Sequence, residues 1–223
     1  MSYKEESFFK DIITNEKFYI AVKNKKMIRH TVDDKEVVCI WTDRTLMDKY
    51  IKYYELEYDR VVEKDIDEFV TYEMDDIFEE KDEILVNVTD SIKGHFINVI
   101  EVTEDIMTEL DRIRMKEFVQ DVAKDDTVYG LTNKNAKQFI MISEHDDRED
   151  KHNVMPVWSL KSRARKVMEA DFEECDLIEI EGEVFGEWLD QLRDDHAYVG
   201  IDLKPGVIGT IVSAQKLSDE LTF

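Results

Sequence analysis

Phe8, Phe9, Lys10, Asp11, Ile12 and Ile13, followed by Phe18 and Tyr19, return without a gap as Phe118, Val119, Gln120, Asp121, Val122 and Ala123, followed by Val128 and Tyr129. The pairing continues outward from this stretch. Val37, Ile40, Trp41 and Thr42 match Val154, Val157, Trp158 and Ser159, and Phe69 and Tyr72 match Phe185 and Trp188. Gly94, Phe96, Val99 and Ile100 then match Gly206, Ile208, Ile211 and Val212. The order of the blocks is kept while the spacing between them drifts, as insertions in loops between packed elements would produce. The chain therefore reads as two tandem copies of one domain, residues 1–110 and 111–223, with the division near Leu110 to Met115. Each copy is large enough to close its own apolar core.

The hydrophobic fraction of 43%, with only two prolines and seven glycines, describes a globular chain without a long linker. Met1 to Asn15 has no basic start leading into an apolar run, and no segment approaches the roughly 18 apolar residues of a membrane span, so the expected compartment is the cytosol. Cys39 and Cys175 fall in different elements of the two copies, which marks neither a shared disulfide nor a shared metal site. The formal charge is −23. Residues 1–110 carry 15 basic and 28 acidic side chains, and residues 111–223 carry 15 and 25, so both copies are acidic. Such a field repels phosphate backbones and anionic lipid, and neither nucleic acid nor membrane is the expected partner.

Each copy is expected to open with a helix, Tyr3 to Thr14 and Ile113 to Ala123, because the apolar residues fall at helical spacing. Strands follow at Lys17 to Val22, Lys26 to Val32 and Glu36 to Trp41, and in the second copy at Val128 to Thr132, Phe139 to Ser143 and Asn153 to Trp158. Thr42 and Ser159 offer hydroxyls to cap the next helices, Arg44 to Tyr54 and Lys161 to Ala170. Short strands at Tyr58 to Val62 and Leu177 to Ile180 lead into amphipathic helices, the first extending from Asp65 to Glu80. Strands Ile84 to Val88 and His95 to Val102, matched by Tyr198 to Asp202 and Val207 to Val212, close the copies before terminal helices Glu104 to Leu110 and Lys216 to Leu221. The fold class is α+β, two tandem copies of a largely antiparallel sheet covered by helices.

Met155, Pro156, Val157 and Trp158, the helix bearing Ala164, then Val184, Phe185, Trp188, Leu189 and Leu192, and finally Tyr198, Val199 and Gly200 resemble the bacterial domain of unknown function DUF2750. The likeness covers most of Thr127 to Leu221. Copy one departs from it, with Cys39 in the place of Pro156 and Val70 in the place of Gly186, so that half joins the resemblance through the internal repeat. The family implies no activity and no catalytic residue.

Among candidate sites, Trp41 and Trp158 stand at strand ends where a ring either anchors helix to sheet or lines a pocket, and Tyr19 and Tyr129 raise the same alternative. The loop Glu144 to His152 contains metal-ligand types but lacks the spacing and central glycine of a calcium loop, and copy one has no counterpart to either of its histidines, His145 and His152. Gly206 to Gly209 lies in an expected strand and is no phosphate loop. No nucleophile elbow or repeated Cys and His pair is present, so no catalytic residue, cofactor or metal is assigned. On Asp65 to Glu80, the apolar stripe leaves Asp67, Asp75, Asp76 and Glu79 to the other face with no Lys or Arg among them, which suits docking of a basic protein. The expected function is thus a cytosolic, non-enzymatic protein-binding tandem module, of which an acidic inhibitor or immunity-type protein is one form. The rival is an enzyme or small-ligand binder with its site in the cleft between the copies.

Overall fold

The computed structural model describes residues 3–32, 34–89, 96–143, 153–207 and 209–221. Two compact units, Met1–Glu109 and Leu110–Phe223, divide the chain. The first opens with α1 (Tyr3–Asn15), whose Phe8 and Ile12 lie one turn apart and are buried. Then come β1 (Lys17–Lys23), β2 (Lys26–Met27), β3 (Arg29–Val32) and β4 (Lys35–Ile40). Asn24 and Lys25 turn β1 into β2 with φ of 51° and 65°, the left-handed pair that a two-residue hairpin requires. The unit continues through α2 (Arg44–Tyr53), β5 (Arg60–Asp65), α3 (Ile66–Tyr72), α4 (Met74–Ile77), β6 (Glu83–Val86) and β7 (Phe96–Asn98). Helix α5 (Val99–Asp125) begins in the first unit and ends in the second. The second unit adds β8 (Thr127–Asn133), β9 (Ile142–Ser143), β10 (Asn153–Trp158), α6 (Lys161–Asp171), β11 (Cys175–Glu181), α7 (Gly182–Asp194), β12 (Tyr198–Ile201), β13 (Thr210–Ser213) and α8 (Ala214–Glu220).

In the second unit the strands run in the order β11-β8-β10-β12-β13, with β9 also on β10. In the first, β1 pairs with β5, β4 with β3 and β6, and β6 with β7. An antiparallel bridge between Tyr19 and Trp41 connects the β1 and β4 ladders, which gives the path β5-β1-β4-β6-β7. The registers correspond as well. Ile20 lies opposite Val62 and Gly130 opposite Ile178; Tyr19 bridges Trp41 and Tyr129 faces Trp158. Each unit has one parallel pair, β4 with β6 and β10 with β12, in an otherwise antiparallel arrangement. The class is α+β.

Helices cover both faces of each sheet. Trp41, Met47 and Tyr50 pack α2 on one face of the first, as Trp158, Ala164 and Val167 pack α6 on the second. On the opposite face Phe18 meets Phe69 of α3 edge to face at 5.1 Å. There Val128, Phe118, Val122, Phe185 and Leu189 form the matching core with α5 and α7. Burying each such side chain contributes about 1.5–3 kcal/mol, which is why the apolar spacing of these elements is readable from sequence.

Four expectations are corrected. The two helices expected around the division are one continuous helix, α5, because no breaker lies between Glu104 and Ala123. Val99 and Ile100 belong to this helix rather than to a strand, and β7 aligns with β13 three residues further along than the sequence match suggested: Ile84 faces Ile97 as Val199 faces Val212. Gly94 and Ile208 of that match lie outside the described residues. Thr42 and Ser159 are not helix caps; Asp43 caps α2, and Leu160 precedes α6 without a side-chain cap. Asp65 to Glu80 is not a single helix. Glu73, at φ −126°, separates α3 from α4, and Phe78 is extended, its ring turned back towards Phe69 at 6.1 Å. A run of carboxylates with no cation one turn away weakens the helix here, while Lys64 of the sheet draws Glu73 into an ion pair.

Candidate functional site

At the C-terminal ends of the parallel strands the two units carry the same polar clasp. In the first, Thr42 donates its hydroxyl proton to Asp11 (3.0 Å), the side-chain amide of Asn87 donates to the same hydroxyl (3.0 Å), and Asn87 Oδ1 accepts from the Thr42 backbone N–H (2.9 Å). In the second, Ser159 Oγ lies 3.1 Å from Asp121 and 2.8 Å from Asp202, and Asp202 Oδ1 accepts from the Ser159 backbone N–H (2.9 Å). Asn87 and Asp202 both adopt positive φ, 50° and 48°, a conformation that their short polar side chains tolerate. The clasps differ in charge. A hydroxyl has one proton to share between Asp121 and Asp202, and Arg163 supplies the balancing donor, 2.6 Å from Asp202. Position 46 of α2, which corresponds to Arg163, is Leu46, and the neutral Asn87 needs no cation there.

Sequence reasoning aligned Asp11 with Asp121 and Thr42 with Ser159 without recognising a shared polar group. The signal was that Asp11 and Asp121 are identical and Thr42 and Ser159 both carry a hydroxyl within the matched blocks. Ser159 is 1% exposed and its hydrogen-bonding capacity is taken up within the clasp, so the arrangement ties a helix to two strand ends. It contains no histidine to activate the hydroxyl.

Trp41 and Trp158 are buried at 2% and 0% exposure, and their indole N–H groups donate to the carbonyls of Val88 (2.7 Å) and Leu203 (3.0 Å). They anchor the sheet to α2 and α6. Tyr19 donates to Glu63 (2.8 Å), which also pairs with Lys17 at 2.6 Å. The bond to Glu63, then burial, raises the Tyr19 pKa. Tyr129 instead lies under the Lys161 ammonium, 5.9 Å from the ring centroid, and burial is the main cause that raises its pKa. The paired tyrosines therefore share a register and not a chemistry. Burial pushes the Cys39 thiol up to about 11 and raises that of Cys175, the reverse of what a nucleophilic thiolate needs. Among the described residues no group of three His, Cys, Asp or Glu side chains can hold a metal ion, and no helix is long and apolar enough to cross a membrane. The loop Glu144 to His152 lies outside them.

The acidic segment changes most between sequence and structure. Asp67 is 1% exposed, tucked into the first turn of α3, and offers nothing to a partner. Asp75, Asp76 and Glu79 are exposed, the last beyond the end of α4.

Where α3 stops, unit 1 has a groove of about 850 Å³ over the sheet. Ile20, Val22, Met27 and Val62 form its apolar floor, and Tyr72 and Ile77 stand on its α3–α4 side. Lys25, Lys26, Arg29, Arg60 and Lys64 line it together with the acidic Glu36, Glu73 and Asp76. Lys64 is paired with Glu73, and Arg29 Nη2 donates to the Ile77 carbonyl at 3.4 Å. In unit 2 this place is filled. Helix α7 runs on to Asp194, and Trp188, the counterpart of Tyr72, packs against Phe139 with ring centroids 3.8 Å apart. Phe139 lies over Gly130, the counterpart of Ile20; a Cβ on Gly130 would come within 3.0 Å of the Phe139 ring. In unit 1 the position of Phe139 is taken by Met27, which pairs with Val22 as Phe139 bridges Thr132, after the short turn at Asn24 and Lys25; Tyr72 is 59% exposed.

The model of DUF2750, a family described as a protein of unknown function, matches residues 115–221. That match covers the second unit from the middle of α5 to the end of α8. No curated protein matches the chain. Among solved structures, Anabaena Tic22, titled as a protein of protein transport, is similar over 86% of this chain and 88% of its own, at 8% identity and a TM-score of 0.22.

Proposed function

We propose that this chain is a non-enzymatic, cytosolic module that binds another protein, built from two copies of one domain: unit 2, which the family model matches, and unit 1, a diverged second copy. The observation that carries the binding role is the groove of unit 1 where unit 2 packs Phe139 against Trp188. An apolar floor with charged walls is the form that accepts an anchoring side chain of a partner. Catalysis finds no comparable support, because the repeated hydroxyls are consumed in the clasps. The net charge of −23 and the exposed Asp75, Asp76 and Glu79 beside the groove would speed the approach of a basic protein, the behaviour of an acidic inhibitor or immunity-type protein.

Selection from a phage library of random peptides, run in parallel on the wild-type chain and on Val62→Trp, tests this. The indole fills the groove floor. Peptides enriched on the wild type should fail to bind the folded variant. Enrichment of nothing, or of peptides that the variant retains, contradicts the reading.

A further inference from the structure

We infer, resting on the reading of the groove as a protein-binding site, that its occupant is an extended segment of the partner with carboxylates two residues to either side of an apolar residue. Equivalent positions in the two units carry the argument. Met27 lies opposite Val22 as Phe139 bridges Thr132, and the Ile28 N–H donates to the Ala21 carbonyl as that of Ile140 donates to the Leu131 carbonyl. Lys25 therefore corresponds to Lys137, both at positive φ, and Arg29 to Met141. Across the ladder, Arg60 faces Val22 where Asp176 faces Thr132, and Lys64 faces Phe18 where Ile180 faces Val128.

Unit 2 thus supplies a carboxylate of its own: Asp176 pairs with Lys137 at 3.5 Å. Unit 1 has Arg60 in that position, so two cations stand where unit 2 has an ion pair. Among the described residues neither Lys25 nor Arg60 has an ion-pair partner, and Arg29 bonds only to the neutral Ile77 carbonyl. Five cations and three carboxylates line the groove in a chain of net charge −23, and one of those carboxylates, Glu73, is taken by Lys64. A partner's carboxylate set between Lys25 and Arg60 takes the part that Asp176 plays in unit 2. Lys25, Met27 and Arg29 line the groove at two-residue spacing, the side-chain period of a strand. An extended partner matches that period with one carboxylate for Lys25 and Arg60, an apolar side chain on the half-buried Met27 and Val62, and a second carboxylate for Arg29. Screening over about 8 Å at physiological ionic strength lets these near charges, rather than the distant acidic surface, select what lies in the groove.

The probe, a fluorescein-labelled glutamate–leucine heptapeptide, has a central leucine, a glutamate two residues to either side and serine elsewhere. It is titrated into the full-length chain and read by fluorescence anisotropy. One control moves the glutamates next to the leucine, which turns them to the opposite face of an extended chain; another replaces them with glutamine. The probe should bind, with both controls at least about tenfold weaker. Arg60→Asp rebuilds the pairing of unit 2 and should weaken the probe about tenfold without lowering the unfolding midpoint. If either control binds as tightly as the probe and Val62→Trp abolishes that binding, the alternating acidic occupant is overturned while the groove keeps its binding role. If the probe does not bind, or binds Val62→Trp or Arg60→Asp like the wild type, the inference is overturned, and the phage selection against Val62→Trp decides the role of the groove on its own.

Discussion

The two units keep the same strand registers and the same Trp-anchored clasp, yet they part completely at the end of the helix after β5 and β11. In unit 2 that helix has Leu189 and Leu192 to follow Trp188 and seals the sheet. In unit 1 it meets Glu73, Asp75 and Asp76 and breaks after Tyr72, where the groove lies over the sheet. What recurs is what closes the fold: a buried indole, a hydroxyl bound by two side chains, a strand end in left-handed conformation. What differs lies over the sheet: Phe139 against Trp188 in unit 2, the groove in unit 1. Ile20 and Val22 in the floor are themselves buried and Met27 and Val62 half-buried, and a groove with an apolar floor and charged walls has the form of a binding site.

The largest effect should come from the shared frame. Trp41→Ala and Trp158→Ala should each destabilise the chain by about 3–5 kcal/mol through the cavity and the lost indole hydrogen bond, measured by urea unfolding. A near-zero cost for one of them would end the equivalence of the two anchors. Phe139→Ala comes next, at about 2 kcal/mol, because a half-buried ring gives up less than a fully buried one. If this substitution is neutral, the ring is not a seal and the contrast with unit 1 loses its basis.

The clasps sharpen the comparison by an asymmetry. Asp202→Asn should cost under about 1 kcal/mol, since Asn87 already shows that an amide serves the same bonds. Asn87→Asp should cost more, about 1–3 kcal/mol, because Leu46 stands where Arg163 balances the charge in unit 2. Equal costs, measured by chemical denaturation, would mean that Arg163 contributes nothing to the choice between amide and carboxylate. The smallest effect is expected at the groove wall: Asp76→Asn should tighten the glutamate–leucine peptide about twofold by removing one opposing charge. Weaker binding in the anisotropy titration would give the acidic wall the role assigned to the basic one.

Much of the frame was legible in the sequence because it is written in apolar spacing. The stretch from Phe8 to Tyr19, the tryptophans and Phe69 with Phe185 all fell in equivalent places. The break after Tyr72 was not legible: Met74, Ile77 and Phe78 continue the helical apolar period, and only the ion pair from Lys64, far away in fold terms until β5 is placed, shows that Glu73 leaves it. Asp67 was misjudged for a related reason. On a helix of two turns, position alone does not separate the buried edge from the exposed face, and burial is decided by what packs above it. The clasps escaped notice because their members, Asp11, Thr42 and Asn87, are spread over three elements that only the parallel pairing of β4 with β6 brings together. The groove turns on Met27 standing where unit 2 has Phe139, a replacement that shows only once the registers of β1 and β8 are aligned.

Methyl NMR of the full-length chain, titrated with the glutamate–leucine peptide, tests the central contrast between the groove of unit 1 and the packed rings of unit 2 most directly. Methyl signals of Ile20, Val22, Val62 and Ile77 should shift in a saturable way, while those of Ile178, Ile180 and Leu192 on the corresponding face of unit 2 stay in place. Shifts confined to the unit 2 methyls, or equal in both units, would contradict the account.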